Sequence, residues 1–273
     1  MAIWRSFDRR TASRSSSCSK VRPSLLARRG TRWRTSVNGR FLSESLIRGK
    51  REELDRLAAQ EVGAALSEVA YARGHAILAV VGGRSVAGVF AHLAALELPW
   101  RKIHIFMADE RMLPISSPES NWQVVDAGLV APLLQSGRLL PEHVHPFRWE
   151  EGAADGGVSL YAAELQKWGG RFDVAVLSAG EDGHTASLFP HHPAILTTGR
   201  LFLEVDNAPK PPPRRITASR GLLELTGLAV LMVYGGDKRK ALGMLEEPSL
   251  SLADCPAKLV GRCPRGLVYT DLL

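Results

Sequence analysis

The 273-residue chain is poor in cysteine, holding only Cys18, Cys255 and Cys263, an odd number without C-x-x-C spacing. Zinc ribbons and dithiol redox centres are thereby excluded, and reduced thiols are expected. Metal-ligand patterns are also missing. His191 and His192 follow His184, but no H-E-x-x-H or H-x-x-x-H sequence accompanies them, so no metal is expected. There is no G-x-S-x-G nucleophile elbow, no G-x-G-x-x-G and no Walker sequence, which removes the usual signs of a covalent serine hydrolase and of a nucleotide cofactor. No apolar run approaches the roughly 18 residues of a membrane span, and no secretory h-region is present. A soluble, cytoplasmic protein is the expectation.

Acids are scarce in one region. Residues 1–36 carry ten Lys or Arg against the single Asp8 and contribute +9 to a net charge of +7, leaving the remainder near −2. The basic character belongs to the tail, and a nucleic-acid-binding or membrane-binding body is not indicated. An Arg- and Ser-rich, acid-poor segment is the composition of an organellar import sequence, of a disordered basic arm, or of upstream sequence read through from a wrong start codon. The expected organisation is this tail at 1–36 followed by a single domain over 37–273.

What the chain does have is alternation. Apolar residues at Leu54, Leu57, Ala58, Val62, Ala65, Leu66 and Val69 predict a helix over 52–72 that Gly74 ends. Residues 75–81 form a short glycine-flanked apolar run that reads as a strand buried on both faces, followed by a helix over 85–96. The pattern repeats with strands at 103–107, 172–177, 228–234 and 267–272 and helices over about 121–134 and 238–245. Such alternation implies right-handed crossovers and a mainly parallel α/β sheet, with ligands just beyond the carboxyl ends of its strands.

Four polar clusters follow predicted strands, and all should meet on that edge. Gly82-Gly83-Arg84-Ser85 joins strand to helix and offers backbone N–H groups to a phosphate; the alternative is a conformational turn. In Asp109-Glu110-Arg111 the guanidinium suits a phosphate, while either carboxylate could hold substrate hydroxyls or orient the arginine; the alternative is a solvated charge cluster. Gly180 to Ser187 contains His184, an imidazole fit to take and return a proton, with Asp182 beside it to orient it. Thr185 and Ser187 would suit a helix start there. Lys238, opening a helix after Gly235-Gly236, is badly placed against the helix dipole unless an anion offsets it. The basic proline segment 209–217 reads either as a partner ligand or as a stiff arm bringing Lys210 and Arg215 to the site.

Together, GGRS at 82–85, DER at 109–111 with Ser120-Asn121, FDVAVLSAGEDGHTASLFP at 172–190, APKPPPRRIT at 208–217, GGDKRKAL at 235–242 and the closing PAKLV resemble the glucosamine-6-phosphate isomerase/6-phosphogluconolactonase family, in its lactonase branch. The resemblance runs in order from about residue 50 to the end. It implies a Rossmann-like three-layer sandwich of the type shared with glucosamine-6-phosphate deaminase and ribose-5-phosphate isomerase. It also implies cofactor-free hydrolysis of 6-phospho-D-glucono-1,5-lactone in the oxidative pentose phosphate pathway. By the same resemblance His184 is the general acid/base, Arg111 and Lys238 bind phosphate, and Arg215 is a further candidate. With Asp182 as catalytic partner, the expected substrate-binding set is Gly82, Gly83, Asp109, Arg111, Lys238 and Arg215. The chain departs from the family's frequent Gly-Gly-Ser-Thr-Pro loop at Arg84-Ser85-Val86, and the basic tail has no family counterpart.

The rival within the family, a glucosamine-6-phosphate deaminase, requires a glutamate after the DGH motif that Thr-Ala-Ser-Leu-Phe-Pro does not supply. A sugar-phosphate-binding regulator without turnover, and an adaptor that acts through the tail, are the readings from other classes. A small sugar phosphate is the expected partner, and a monomer the expected state, with a homodimer as the alternative.

Overall fold

The computed structural model describes residues 45–273; the basic segment 1–36 and the first residues assigned to the 37–273 domain lie outside the described residues. The apolar runs become the middle of one sheet. Its strands are β1 (Leu46–Arg48), β2 (Ala76–Val80), β3 (Ile103–Met107), β5 (Val144–His145), β6 (Val174–Ser178), β9 (Leu228–Val233) and β10 (Arg265–Thr270), in spatial order β1-β10-β9-β6-β2-β3-β5. Every pairing among them is parallel. All residues of β2, β3 and β9 are buried, because helices lie on both sides of the sheet and a strand covered on both faces has no polar side to present.

The helices follow the expected periodicity. The first, α1 (Arg51–Arg73), buries Leu54, Ala58, Val62, Leu66 and Ala70 at a spacing of four and ends at Gly74, whose φ of +88° is the left-handed conformation glycine adopts at no steric cost. The second, α2 (Ala87–Ala95), starts two residues later than the spacing suggests, since Gly83 to Val86 form the turn that leads into it. The segment expected as one helix over 121–134 is continuous but changes winding: α3 (Trp122–Val125), a π-helical turn (Asp126–Val130) and α4 (Ala131–Gln135). Next come α5 (Val158–Lys167) and α6 (Arg220–Glu224). A 3₁₀ turn (Gly236–Lys238) then precedes α7 (Arg239–Glu246), so Lys238 sits at the N-cap rather than within the helix.

A second, antiparallel sheet of β4 (Asp109–Arg111), β8 (Arg215–Ala218) and β7 (Phe202–Val205), in spatial order β4-β8-β7, was not expected from the spacing. It pairs Arg111 with Arg215 and Asp109 with Thr217. The DER triplet is therefore a strand and not a solvated loop, and it ties the segment after β3 to the end of the proline-rich arm. Among the described residues no helix is long and apolar enough to cross a membrane.

Candidate active site

The carboxyl ends of β2, β6 and β9, with the β4–β8 ladder beside them, enclose a cavity of about 430 Å³. Gly83, Arg84 and Ser85 enter it from the β2 loop, Gly180 and His184 from the β6 loop, and Gly235, Asp237 and Lys238 from the β9 loop. Arg111 and Arg215 reach it from the small sheet, and Lys210 from the proline arm. Arg51 and Tyr234 complete the wall. Six basic side chains against one carboxylate, Asp237, line the space, and that imbalance favours an anionic ligand.

The loop after β6 is folded around its own histidine. The Gly180 N–H donates to the His184 carbonyl at 2.8 Å, and the Asp182 Oδ1 lies 2.5 Å from His184 Nδ1. Asp182 therefore orients the ring directly and leaves Nε2 as the nitrogen with a lone pair. Burial pushes the Asp182 carboxyl up, but the His184 hydrogen bond and charge, with Lys210 behind them, outweigh it and hold the group well below the usual carboxylate range. The ring packs 4.7 Å from that of Phe189. Gly180 has no room for a side chain: a Cβ there would stand 2.0 Å from His184 Nδ1 and 2.7 Å from Asp182 Oδ1. From behind, the Gly183 carbonyl accepts the Ala257 N–H at 2.9 Å, so the PAKLV segment braces this loop.

Thr185 and Ser187 do not start a helix. Both are fully buried; the Thr185 hydroxyl donates to the Ser178 carbonyl at 3.1 Å and the Ser187 hydroxyl to Asp109 Oδ2 at 2.7 Å. They pin the loop to β6 and to the small sheet. Asp109, expected to bind substrate, is 4% exposed and does not line the cavity; besides Ser187, it accepts the Asn121 side-chain amide at 3.2 Å. A carboxylate beside a wall of arginines stays buried because its partners satisfy it. Glu110 is likewise internal, accepting the backbone N–H groups of Arg111, Asn121 and Trp122 and the Ser120 hydroxyl. Burial nevertheless raises its pKa above the ordinary value.

Gly82, also expected to bind substrate, lies beneath the cavity, where a Cβ would collide with Asn121 at 2.6 Å. Its lack of a side chain serves the close approach of Asn121, and the part of the loop that lines the cavity is Gly83 to Ser85. Arg215 lines the cavity but is 5% exposed, because its guanidinium also donates to the carbonyls of Lys210, Pro211 and Pro212 and lies 5.5 Å over Phe189. It shapes the proline arm around the cavity. Lys210 is held by Glu181 at 2.9 Å.

Sequence reasoning missed Arg51 and Tyr234. The signal for Tyr234 was its place directly after β9. Arg51 was hidden because β1, three residues long, was not recognised, and Arg51 stands just beyond its carboxyl end. Among the described residues no cluster of three or more His, Cys, Asp or Glu side chains is arranged to hold a metal ion.

The sequence pattern of the glucosamine-6-phosphate isomerases/6-phosphogluconolactonase family matches residues 49–269. The 6-phosphogluconolactonase of Mycobacterium tuberculosis is 33% identical over 200 residues, 66% of this chain and 76% of that protein. That of Synechocystis is 33% identical over 69% of this chain and 78% of its own length. A human GDH/6PGL endoplasmic bifunctional protein is 32% identical over 75% of this chain, which spans only 26% of that longer protein. Among solved structures, a 6-phosphogluconolactonase from Shewanella baltica aligns with a TM-score of 0.72 at 25% identity, over 82% of this chain and 97% of that one. The Trypanosoma brucei 6-phosphogluconolactonase, at 21% identity and a TM-score of 0.68 over 83% and 94% of the two chains, shares the fold.

Proposed function

Because the chain belongs to the family of glucosamine-6-phosphate isomerases and 6-phosphogluconolactonases, we propose that it hydrolyses 6-phospho-D-glucono-1,5-lactone to 6-phospho-D-gluconate, a step of the oxidative pentose phosphate pathway. The observation that carries this reading is the Asp182–His184 pair set in the wall of a cavity lined by six basic side chains. One end of such a site suits a phosphate and the other a proton-transfer step.

In the proposed mechanism His184 Nε2 takes a proton from water as the water oxygen bonds to the lactone carbonyl carbon. Asp182 holds the tautomer and balances the imidazolium that forms. When the tetrahedral adduct collapses, the bond from C1 to the ring oxygen breaks and the Nε2 proton passes to the departing oxygen. The sum is addition of one water, giving the open-chain acid, which ionises in solution. Arg111, Lys238 and the Gly83–Ser85 loop hold the phosphate, so binding energy remote from the reacting carbon fixes its distance from Nε2.

We take the ligand to be a small sugar phosphate and the protein to act as a monomer; mass measurement in solution tests the second point. A cytoplasmic setting goes with the reading, because the buried Cys255 and Cys263 are free thiols; subcellular fractionation tests it. The reaction itself is tested by proton release from freshly prepared 6-phosphogluconolactone, measured above spontaneous opening, beside ammonia release from glucosamine 6-phosphate. Acceleration of the first alone supports the lactonase. Ammonia release would transfer the chain to the isomerase branch, and tight 6-phosphogluconate binding without turnover would make it a regulator.

A further inference from the structure

Arg51 is the cavity cation that neither the sequence pattern nor the proposed mechanism uses. As the first residue of α1 it stands where the helix dipole disfavours a positive charge, and no side chain caps that end. Its side chain is 45% exposed, yet it is tethered three times. Nη2 donates to the Arg84 carbonyl at 2.5 Å, the guanidinium carbon lies 5.2 Å over the Tyr234 ring, and Nε is 3.8 Å from Asp55 Oδ2. Holding a long exposed side chain in one place costs conformational entropy that a purely solvated arginine would avoid.

Two of the three tethers lead to the glycine loop. Arg84 is within it. The third partner, Tyr234, directly follows β9 and lines the same cavity. Asp55 is 4% exposed and wedged against α2, the helix that the loop launches: a Cβ at Gly88 would stand 2.0 Å from Asp55 Oδ2. Arg51 thus grips the loop at its Arg84 carbonyl and, through Asp55, at the helix behind it. A guanidinium has five N–H donors, and these contacts leave some for a ligand in the cavity that Arg51 lines.

We propose that Arg51 is a phosphate-positioning residue, which fixes the Gly83–Ser85 loop against the cavity and adds its own charge to the phosphate end. The proposal rests on the lactonase reading for its substrate, but not for its anion.

The test compares wild type, Arg51→Gln, Arg51→Lys and, as a control that removes a neighbouring exposed charge on the same helix, Arg56→Gln. Two readouts are taken: the rise in Tm caused by inorganic phosphate, and KM and kcat for 6-phosphogluconolactone. The expected result is a phosphate Kd and a lactone KM each raised about 10-fold or more in Arg51→Gln, with kcat changed less than about twofold. Arg51→Lys should fall between the two because it keeps the charge and loses the planar fork, and Arg56→Gln should match wild type. Unchanged phosphate affinity in Arg51→Gln overturns the proposal, as does a loss confined to Tm without phosphate. If Arg51→Gln fails to fold, the same comparison is read from Arg51→Lys. A wild type that binds phosphate without turning over lactone would refute the lactonase reading while the phosphate comparison still decides the role of Arg51.

Discussion

Replacing Gly180 by alanine isolates the contribution of the histidine's position from the stability of the fold. The residue is not in the left-handed region, so alanine is compatible with its backbone. The difficulty is space alone: the new Cβ would be 2.0 Å from Nδ1 and 2.1 Å from Cε1 of His184. A comfortable contact begins near 3.5 Å, so the imidazole must retreat by roughly 1.5 Å, and in doing so it leaves Asp182. Because the ring is the mobile end of a side chain at the cavity wall, the molecule can relieve the clash by swinging it aside. The stability cost is then about that of one lost charged hydrogen bond, 1.5–3 kcal/mol. Catalysis is less forgiving, since a displacement of about 1 Å at the reacting group can cost about 100-fold, or about 2.7 kcal/mol in the barrier. Lactone hydrolysis and urea unfolding of Gly180→Ala, measured together, should give kcat lowered about 100-fold with cooperative unfolding retained. Full activity in a folded Gly180→Ala would refute both the close packing of the pair and its place in the chemistry.

Other consequences can be checked separately. Asp182→Asn keeps the shape but loses the charge that balances the imidazolium, and should lower kcat by about 100-fold or more while leaving KM near its original value, as steady-state kinetics will show. Raising ionic strength from about 0.05 to 0.5 M should raise the lactone KM several-fold with little effect on kcat, because six cations act across partly screened space; an unchanged KM would contradict the electrostatic account. Stability should fall in acid through His104 and His145 on neighbouring strands, which are 1% and 8% exposed and 3.0 Å apart between Nδ1 and Nε2. Burial, helped by His143, His145 and His75, pushes His104 down to about 3. Burial also takes His145 to about 4, partly opposed by Glu164. Below about pH 6.5 the unfolded chain binds protons that the folded one refuses, so stability is complete above that pH and declines towards pH 4. Two such groups imply a loss of about 4 kcal/mol at pH 5, read by denaturant unfolding at pH 7.5 and 5. Equal stability at both would show that the cluster protonates freely in the native state.

The parallel sheet was legible because its central strands are covered on both sides and therefore wholly apolar, as Leu228–Val233 illustrates. The convergence of the strand-end clusters followed from the same topology. The small antiparallel sheet was not legible: Asp109-Glu110-Arg111 has the composition of a surface turn, and its two carboxylates are tolerable in the interior because Ser120, Asn121 and Ser187 and the backbone N–H groups of Arg111 and Trp122 satisfy them. Thr185 and Ser187 misled for a related reason, since a hydroxyl that caps a helix and one that pins a buried loop look alike in sequence. Arg51 escaped notice because a strand of three residues gives too little alternation to mark its own end.

In the proposed mechanism His184 performs the proton transfers of lactone hydrolysis from within this basic cavity. The direct measurement is the rate of opening of freshly generated 6-phosphogluconolactone, corrected for spontaneous opening, with intact protein and with His184→Ala of demonstrated phosphate binding. Rapid turnover by the first and a rate near background for the second is the predicted result. Turnover that survives in His184→Ala would contradict the assignment of the general base, and background rates in both would contradict the lactonase itself.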